Sequence, residues 1–202
     1  VMETFLRAPR GAPEVLADAV RMAGLVSFGV AAVFLGLVET AVFALAMLGL
    51  VLPRFLGARA ALDAPFGVVV LVAAWSSVLD LYTTVPGWDI VIHFLTNGLA
   101  AVVAFLLFVR LTARSGSPVS SGSDLSGTVL TTSFGLSIGV LWEFAEWMGH
   151  NFVDASIFVN YDDTIGDLAA GGLGSFVAGT LLGFFTAHSR WVPTRSELTS
   201  VD

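Results

Sequence analysis

From Ala23 to Leu52 the chain runs for thirty residues with Glu39 as its only charge and Glu39-Thr40 as its one strong polar interruption. As a single helix this run would measure about 45 Å, against a hydrocarbon core of about 30 Å. Two short membrane-crossing helices hinged near Glu39 fit better. Four further apolar runs follow, so spans are expected at about 23–38, 40–56, 66–82, 88–109, 129–147 and 165–187. The chain is 56% hydrophobic and 12% charged, half the charged share of a soluble domain, which is about 25%. The expected fold class is therefore all-α: a polytopic membrane helix bundle of about six transmembrane helices. A cleaved signal peptide is the competing reading of the first run, with small residues at Ala44-Leu45-Ala46. Cleavage there would cut through continuous apolar sequence.

The arginines test this map independently, because short cytoplasmic loops collect basic residues. All nine basic residues are arginine. With six spans and both termini cytoplasmic, Arg7, Arg10, Arg21, Arg54, Arg59, Arg110, Arg114, Arg190 and Arg195 all fall on one side, whereas five spans would separate the first three from the rest. Residues 1–22 then form a cytoplasmic N-terminal arm, 23–187 a single transmembrane helical domain and 188–202 a cytoplasmic tail. Within the domain, 111–128 holds six serines, three glycines and Pro118, the composition of a flexible cytoplasmic loop. It divides the chain into four helices and then two. The arginine-only, Ala/Gly/Val-rich composition suggests a GC-rich bacterial genome, and a helix bundle of that origin is expected in the bacterial cytoplasmic (inner) membrane, with membrane lipid as the first partner. A net charge of −7 argues against nucleic acid, whose phosphates need basic surface. Cysteine is absent, which excludes disulfides and thiolate metal sites.

Ionisable residues inside spans are costly and default to functional hypotheses. Here they come at helical spacing. Asp89, His93 and Asn97 are each four apart, Glu143 and Glu146 are three apart with His150 four further on, Asp163 and Asp167 are four apart, and Asp80 closes the third expected span. The arginine topology puts them all at the outer ends of their helices. Small residues continue the same faces: Gly171, Ser175, Gly179 and Gly183 extend the Asp163, Asp167 series, and Thr131, Gly135 and Gly139 lead into Glu143. Such rows mark packed helix faces. Trp75, Trp88, Trp142 and Trp147 read as an interfacial belt. Asp154 and Asp162 read as loop surface, and His188 falls on the other side.

No arginine lies on the outer side, so His93 and His150 are the only protein cations available there. Two carboxylates about 4 Å apart repel by about 4 kcal/mol at an effective dielectric near 20. A cluster of several must bind cations, hold protons or open to water. Imidazole among carboxylates suits a divalent ion, Mg²⁺, Ca²⁺, Mn²⁺, Fe²⁺ or Zn²⁺. The candidate ligands are Asp89, His93, Glu143, Glu146, Asp163 and Asp167, with Asp80, Asn97 and His150 as additional ones. A proton-sharing or substrate-binding acidic pocket and a solvated acidic rim without chemistry are the alternatives.

Trp88-Asp89-Ile90-Val91-Ile92-His93-Phe94, then Glu143-Phe144-Ala145-Glu146-Trp147, then Asp162-Asp163-Thr164-Ile165-Gly166-Asp167 resemble, in order, the D-x-x-x-H-F, E-x-x-E-W and D-T-x-x-D blocks of the YjdF-type bacterial inner-membrane proteins. The broader VanZ-like group is similar too, with D-x-x-x-H before one span and D-x-x-D near a glycine-rich last span. The resemblance covers roughly Asp80 to Gly183. Ile165 stands where YjdF-type proteins often carry Gln, Asn97 alters the polar lining, and the Arg that VanZ-like proteins carry ahead of D-x-x-D has no counterpart here. The resemblance implies a polytopic membrane protein and carries over to Asp89, His93, Glu143, Glu146, Asp163 and Asp167 without a reaction. Its VanZ-like branch implies a link with glycopeptide resistance.

Three function classes compete. A metal-dependent hydrolase or transferase at the outer leaflet would act on a lipid-linked or envelope substrate, with Glu146 as the candidate base. A cation or proton transporter would use the same acids, but its expected broken helices and repeats are not evident in the sequence. A non-enzymatic ligand- or partner-binding membrane protein would offer its acidic face to a cationic small molecule.

Overall fold

The computed structural model describes residues 5–114, apart from the Arg114 side chain, and 125–187. The described residues contain helices and no strand: α1 (Ala12–Phe34), α2 (Leu37–Leu56), α3 (Ala60–Val78), the single turn α4 (Leu81–Thr84), α5 (Trp88–Arg114), α6 (Leu125–Phe152), α7 (Tyr161–Thr180) and α8 (Leu182–Thr186). Residues 115–124 of the expected loop, the tail 188–202 with His188, and Arg190 and Arg195 lie outside the described residues.

The thirty-residue apolar run is divided between two helices, as its length requires. The break falls at Leu35-Gly36, where Gly36 is extended (φ −155°), and Glu39 sits in the first turn of α2. A carboxylate there faces the positive end of the helix dipole. The helix carrying the first run nevertheless starts at Ala12, with a proline in its first turn. That is eleven residues before Ala23, where hydropathy alone begins it. The polar half of α1 stays helical because its charges are partnered: Glu14 accepts from Arg7 at 2.7 Å, Asp18 pairs with Arg21 at 2.7 Å, and Arg21 also pairs with Asp63 of α3.

Five helices are long and apolar enough to cross a membrane: Ala12–Phe34, Leu37–Leu56, Ala60–Val78, Trp88–Ala113 and Leu125–Phe152. The sixth expected span, 165–187, is divided between α7 and α8 by a turn at Leu181. α7 is not among the five, since Asp162, Asp163 and Asp167 lie in its first two turns.

Two groups of helices pack together. In the first, α1, α2 and α3 contact one another pairwise; in the second, α7 packs against both α5 and α6. Thus α5, grouped with the preceding helices by the serine-rich loop, belongs structurally with the two that follow. The reason is small residues. A Cβ on Gly174 would sit 2.7 Å from the Phe94 carbonyl carbon, and one on Gly98 would sit 2.8 Å from the Gly174 carbonyl oxygen. Helices that approach through glycine bury backbone against backbone. Gly135 against Ser175 and Gly179 against Thr128 bring α6 onto α7 in the same way. A core of Leu56, Leu62, Phe66, Val102, Phe105 and Leu182 joins the groups, and a smaller one around Phe43 and Ala74 lies within the first.

The bundle has two polar ends of opposite character. At one, Arg21 donates to Leu50 O (3.0 Å), Arg54 to Arg7 O (2.6 Å), Arg110 to Phe55 O (2.5 Å), and Arg59 to Phe184 O. These guanidiniums serve carbonyls in α2, α8 and the segment before α1. At the other end lie the close of α3, the start of α5, the close of α6 and the start of α7, which carry the acids.

Candidate metal centre

The first turn of α5 is anchored from below. Trp88 donates its indole N–H to Ser76 Oγ at 2.9 Å, and its backbone N–H bonds Val85 O at 3.1 Å. Asp89 follows directly, and four residues on the same helix face carries His93. His93 Nε2 lies 3.3 Å from Asp89 Oδ1.

The third member comes from α7. Asn160 caps that helix by accepting from the Asp162 N–H at 3.2 Å, and the Gly174–Phe94 approach two turns further along holds α7 against α5. Asp167 thereby enters the interface, 3% exposed, with Oδ2 3.7 Å from His93 Nε2. One ligand atom from each of Asp89, His93 and Asp167 lies within 4.8 Å of the other two. Ligand atoms about 2.1 Å from a shared ion stand about 3.0–3.4 Å apart in octahedral or tetrahedral geometry, so an ion would need only a small inward adjustment. Asp167 Oδ1 and Glu143 Oε1 are buried with no hydrogen-bond partner. An unpaired buried oxygen of this kind costs about 1–3 kcal/mol, more when charged.

The other acids surround this group rather than joining it. Asp163 faces Asp89 across α5 and α7. Glu143 faces Thr164, and Glu146 lies beside Trp142 within electrostatic reach of His93 and Asp89. Asn97, one turn below His93 and 5% exposed, fills the space left by Gly139 and Gly171. Two additional candidates turn elsewhere. His150 Nδ1 is 2.7 Å from Ile157 O, which ties it to the α6–α7 loop. Asp80 adopts a left-handed backbone (φ 55°) before α4 and accepts from Thr83 Oγ1 at 2.7 Å. Asp154 is fully exposed and accepts from the Ser156 N–H at 2.9 Å, which lowers its pKa.

Tyr82, on α4, is a neighbour of the site that residue spacing did not reveal. Its hydroxyl donates to Ala73 O at 3.0 Å. Burial first, and then the charges of Asp89, Glu146 and Asp167, push its pKa up, so the phenol stays protonated. Its position depends on the reversal at Asp80, a geometry without a sequence period. Trp75, likewise, is a helix tie and not only a belt residue, because its indole N–H donates to Ser27 Oγ at 3.0 Å. Trp147 is the half-exposed one and stacks on Phe144, with ring centroids 5.9 Å apart.

Residues 15–188 match the family model described as predicted membrane protein DUF2238. The match spans most of the chain, which therefore belongs to that family, the YjdF-type group. No curated protein and no solved structure matches.

Proposed function

We propose that this DUF2238 membrane protein binds one divalent metal ion through Asp89, His93 and Asp167 at the acidic end of its bundle. The observation that carries the reading is the convergence of those three ligand atoms within 4.8 Å, with Asp167 Oδ1 buried and unpartnered beside them. Two carboxylate oxygens and one imidazole suit Mn²⁺, Fe²⁺ or Zn²⁺ best, with Mg²⁺ and Ca²⁺ next. Three protein ligands leave positions for water and a substrate oxygen, the pattern of a catalytic rather than a closed structural site.

On this reading an ion held by Asp89, His93 and Asp167 would supply Lewis acidity toward a phosphoryl or acyl oxygen and toward a bound water. Glu146, reaching toward the group from α6, is the base that takes the proton, and the substrate is lipid-linked or belongs to the envelope. The gathering of the arginines at one end supports cytoplasmic termini in a bacterial inner membrane, with the acidic end facing outward. That orientation assigns α7 the sixth crossing, its aspartates at the outer surface.

The test is thermal unfolding of detergent-purified protein after EDTA treatment, followed by each of the five ions in turn. At about 100 times its Kd a bound ion stabilises by about 2.7 kcal/mol, a rise in Tm of about 5–11 °C for a chain this size. A melting curve unmoved by EDTA and by every ion would overturn the proposal.

A further inference from the structure

The opposite end of the bundle holds a second polar feature that the metal centre does not use. A cleft of about 510 Å³ opens between the segment before α1 and the α2–α3 turn, walled by Arg7, Arg10, Glu14, Gly57, Arg59 and the first residues of α3. We propose that this cleft binds a phosphate group, that of an anionic phospholipid headgroup at the arginine-bearing surface.

Charge supports this first. The cleft and the network behind it contain Arg7, Arg10, Arg21, Arg54 and Arg59 against Glu14, Asp18 and Asp63, five cations to three anions, a formal +2. The three carboxylates are occupied: Glu14 with Arg7 at 2.7 Å and the Arg10 backbone N–H at 2.8 Å, Asp18 with Arg21 at 2.7 Å, and Asp63 with Arg21. The surplus lies on the wall, where the Arg10 side chain is exposed. Arg59, which also donates to Phe184 O and lies over the Phe184 ring at 4.6 Å, is held in place at its edge.

Two guanidinium nitrogens are short of partners. Arg54, 4% exposed, has Nη1 buried and without a hydrogen bond, directed at 3.7 Å toward Glu14 on the wall. Arg7 Nε, also on the wall, is buried and unbonded. Both nitrogens lie beneath the wall surface and add positive charge behind the cleft, while the exposed Arg10 guanidinium on the wall is a fork that matches phosphate oxygens.

The helix ends point the same way. No side chain caps α3, whose first residues Ala60 and Ala61 form part of the wall; its free N–H groups favour an anion, and Asp63, the carboxylate of that turn, is engaged by Arg21. The competing negative end of α2 is already neutralised: Arg54 O and Pro53 O accept from Gly57 and Ala58, and Phe55 O accepts from Arg110. The cleft is lined by the starts of the candidate spans α1 and α3 and by the turn that follows α2, span ends that a bilayer would hold at the level of its headgroups.

The experiment titrates full-length protein in neutral detergent with short-chain phosphatidylglycerol, short-chain phosphatidylcholine and inorganic phosphate, reading Tm. Phosphatidylglycerol is expected to raise Tm saturably and phosphatidylcholine not. Arg10→Gln, which removes an exposed side chain, should weaken the response about fivefold, and Arg10→Gln with Arg59→Gln about thirtyfold, from the contribution of each basic residue to an anionic surface. An arginine-dependent response to inorganic phosphate equal to that of the lipid would overturn the lipid as occupant while keeping the phosphate site. A phosphatidylglycerol response that both variants retain in full, or that phosphatidylcholine matches, would overturn the site.

Discussion

Gly174→Ala tests the contact that brings the two halves of the metal centre together. The added Cβ would lie 2.7 Å from the Phe94 carbonyl carbon and 3.0 Å from its Cα, with the carbonyl oxygen nearer still. Ordinary contact begins at 3.4 Å, so α5 and α7 must separate by at least 3.4 − 2.7 = 0.7 Å. Backbone cannot rotate away as a side chain can. The cost therefore falls toward the upper end of overpacking, about 3 kcal/mol, offset by about 1 kcal/mol of helix propensity gained over glycine. The net loss of about 2 kcal/mol lowers Tm by about 4–8 °C. Gly29→Ala in α1 is the control, since a Cβ there meets nothing within 4 Å and should be neutral or stabilising. The assay is paired thermal unfolding in one detergent, with metal affinity measured on the same samples. His93 adjoins Phe94 in the chain, so separation of α5 from α7 must also weaken the ion. A Gly174→Ala protein as stable and as metal-competent as the parent would refute the packing argument, as would an equal loss in Gly29→Ala.

Other expectations follow from single contacts. Asp63→Asn leaves Arg21 with Asp18 but deprives it of a 4%-exposed partner, and should cost about 3 kcal/mol; Arg21→Met with Asp63→Leu should recover much of it, read as Tm. Ser76→Ala strands the Trp88 indole N–H and should cost about 1–3 kcal/mol, with a change in tryptophan emission. His93→Gln removes a ligand and should weaken metal binding by more than about 100-fold, since loss of a group that merely supports a ligand costs about 10–100-fold. His150→Gln, tied to Ile157, should leave metal affinity unchanged in the same titration.

Local periodicity made the chemistry-bearing faces legible. Asp89 and His93 share a helix face by spacing alone, and the small-residue row that continues from Asp167 marks a packed face, Gly171 against Asn97 of α5 and Ser175 and Gly179 against Gly135 and Thr128 of α6, whereas Gly174, which makes the closest approach to α5, lies outside that row. The break in the first apolar run was likewise readable, because its length conflicts with bilayer thickness and Glu39 is a carboxylate suited to a helix start. What spacing could not supply were partners distant in sequence. The start of α1 at Ala12 depends on Arg21 meeting Asp63 and on Glu14 and Asp18 meeting arginines, so a hydropathy scan starts the helix too late. Arg54 served in the sequence only as a marker of sidedness, whereas the fold buries it beneath the segment before α1. Tyr82 was invisible because one left-handed residue, Asp80, turns it toward the acids. Spacing alone gave Glu143, Glu146 and Asp163 the same standing as Asp167, with Asp80 and His150 as additional candidates; the local partners of those two, Thr83 and Ile157, turn them elsewhere.

The central claim, an ion held by Asp89, His93 and Asp167, is tested most directly by elemental analysis of the folded, detergent-purified protein beside its Asp167→Asn variant. The account predicts close to one equivalent of a divalent transition metal per chain, lost on EDTA treatment and absent from the variant, with both proteins folded. Parent protein that is folded and stays metal-free after incubation with Mn²⁺, Fe²⁺ and Zn²⁺, or a variant that retains the full equivalent, would contradict it.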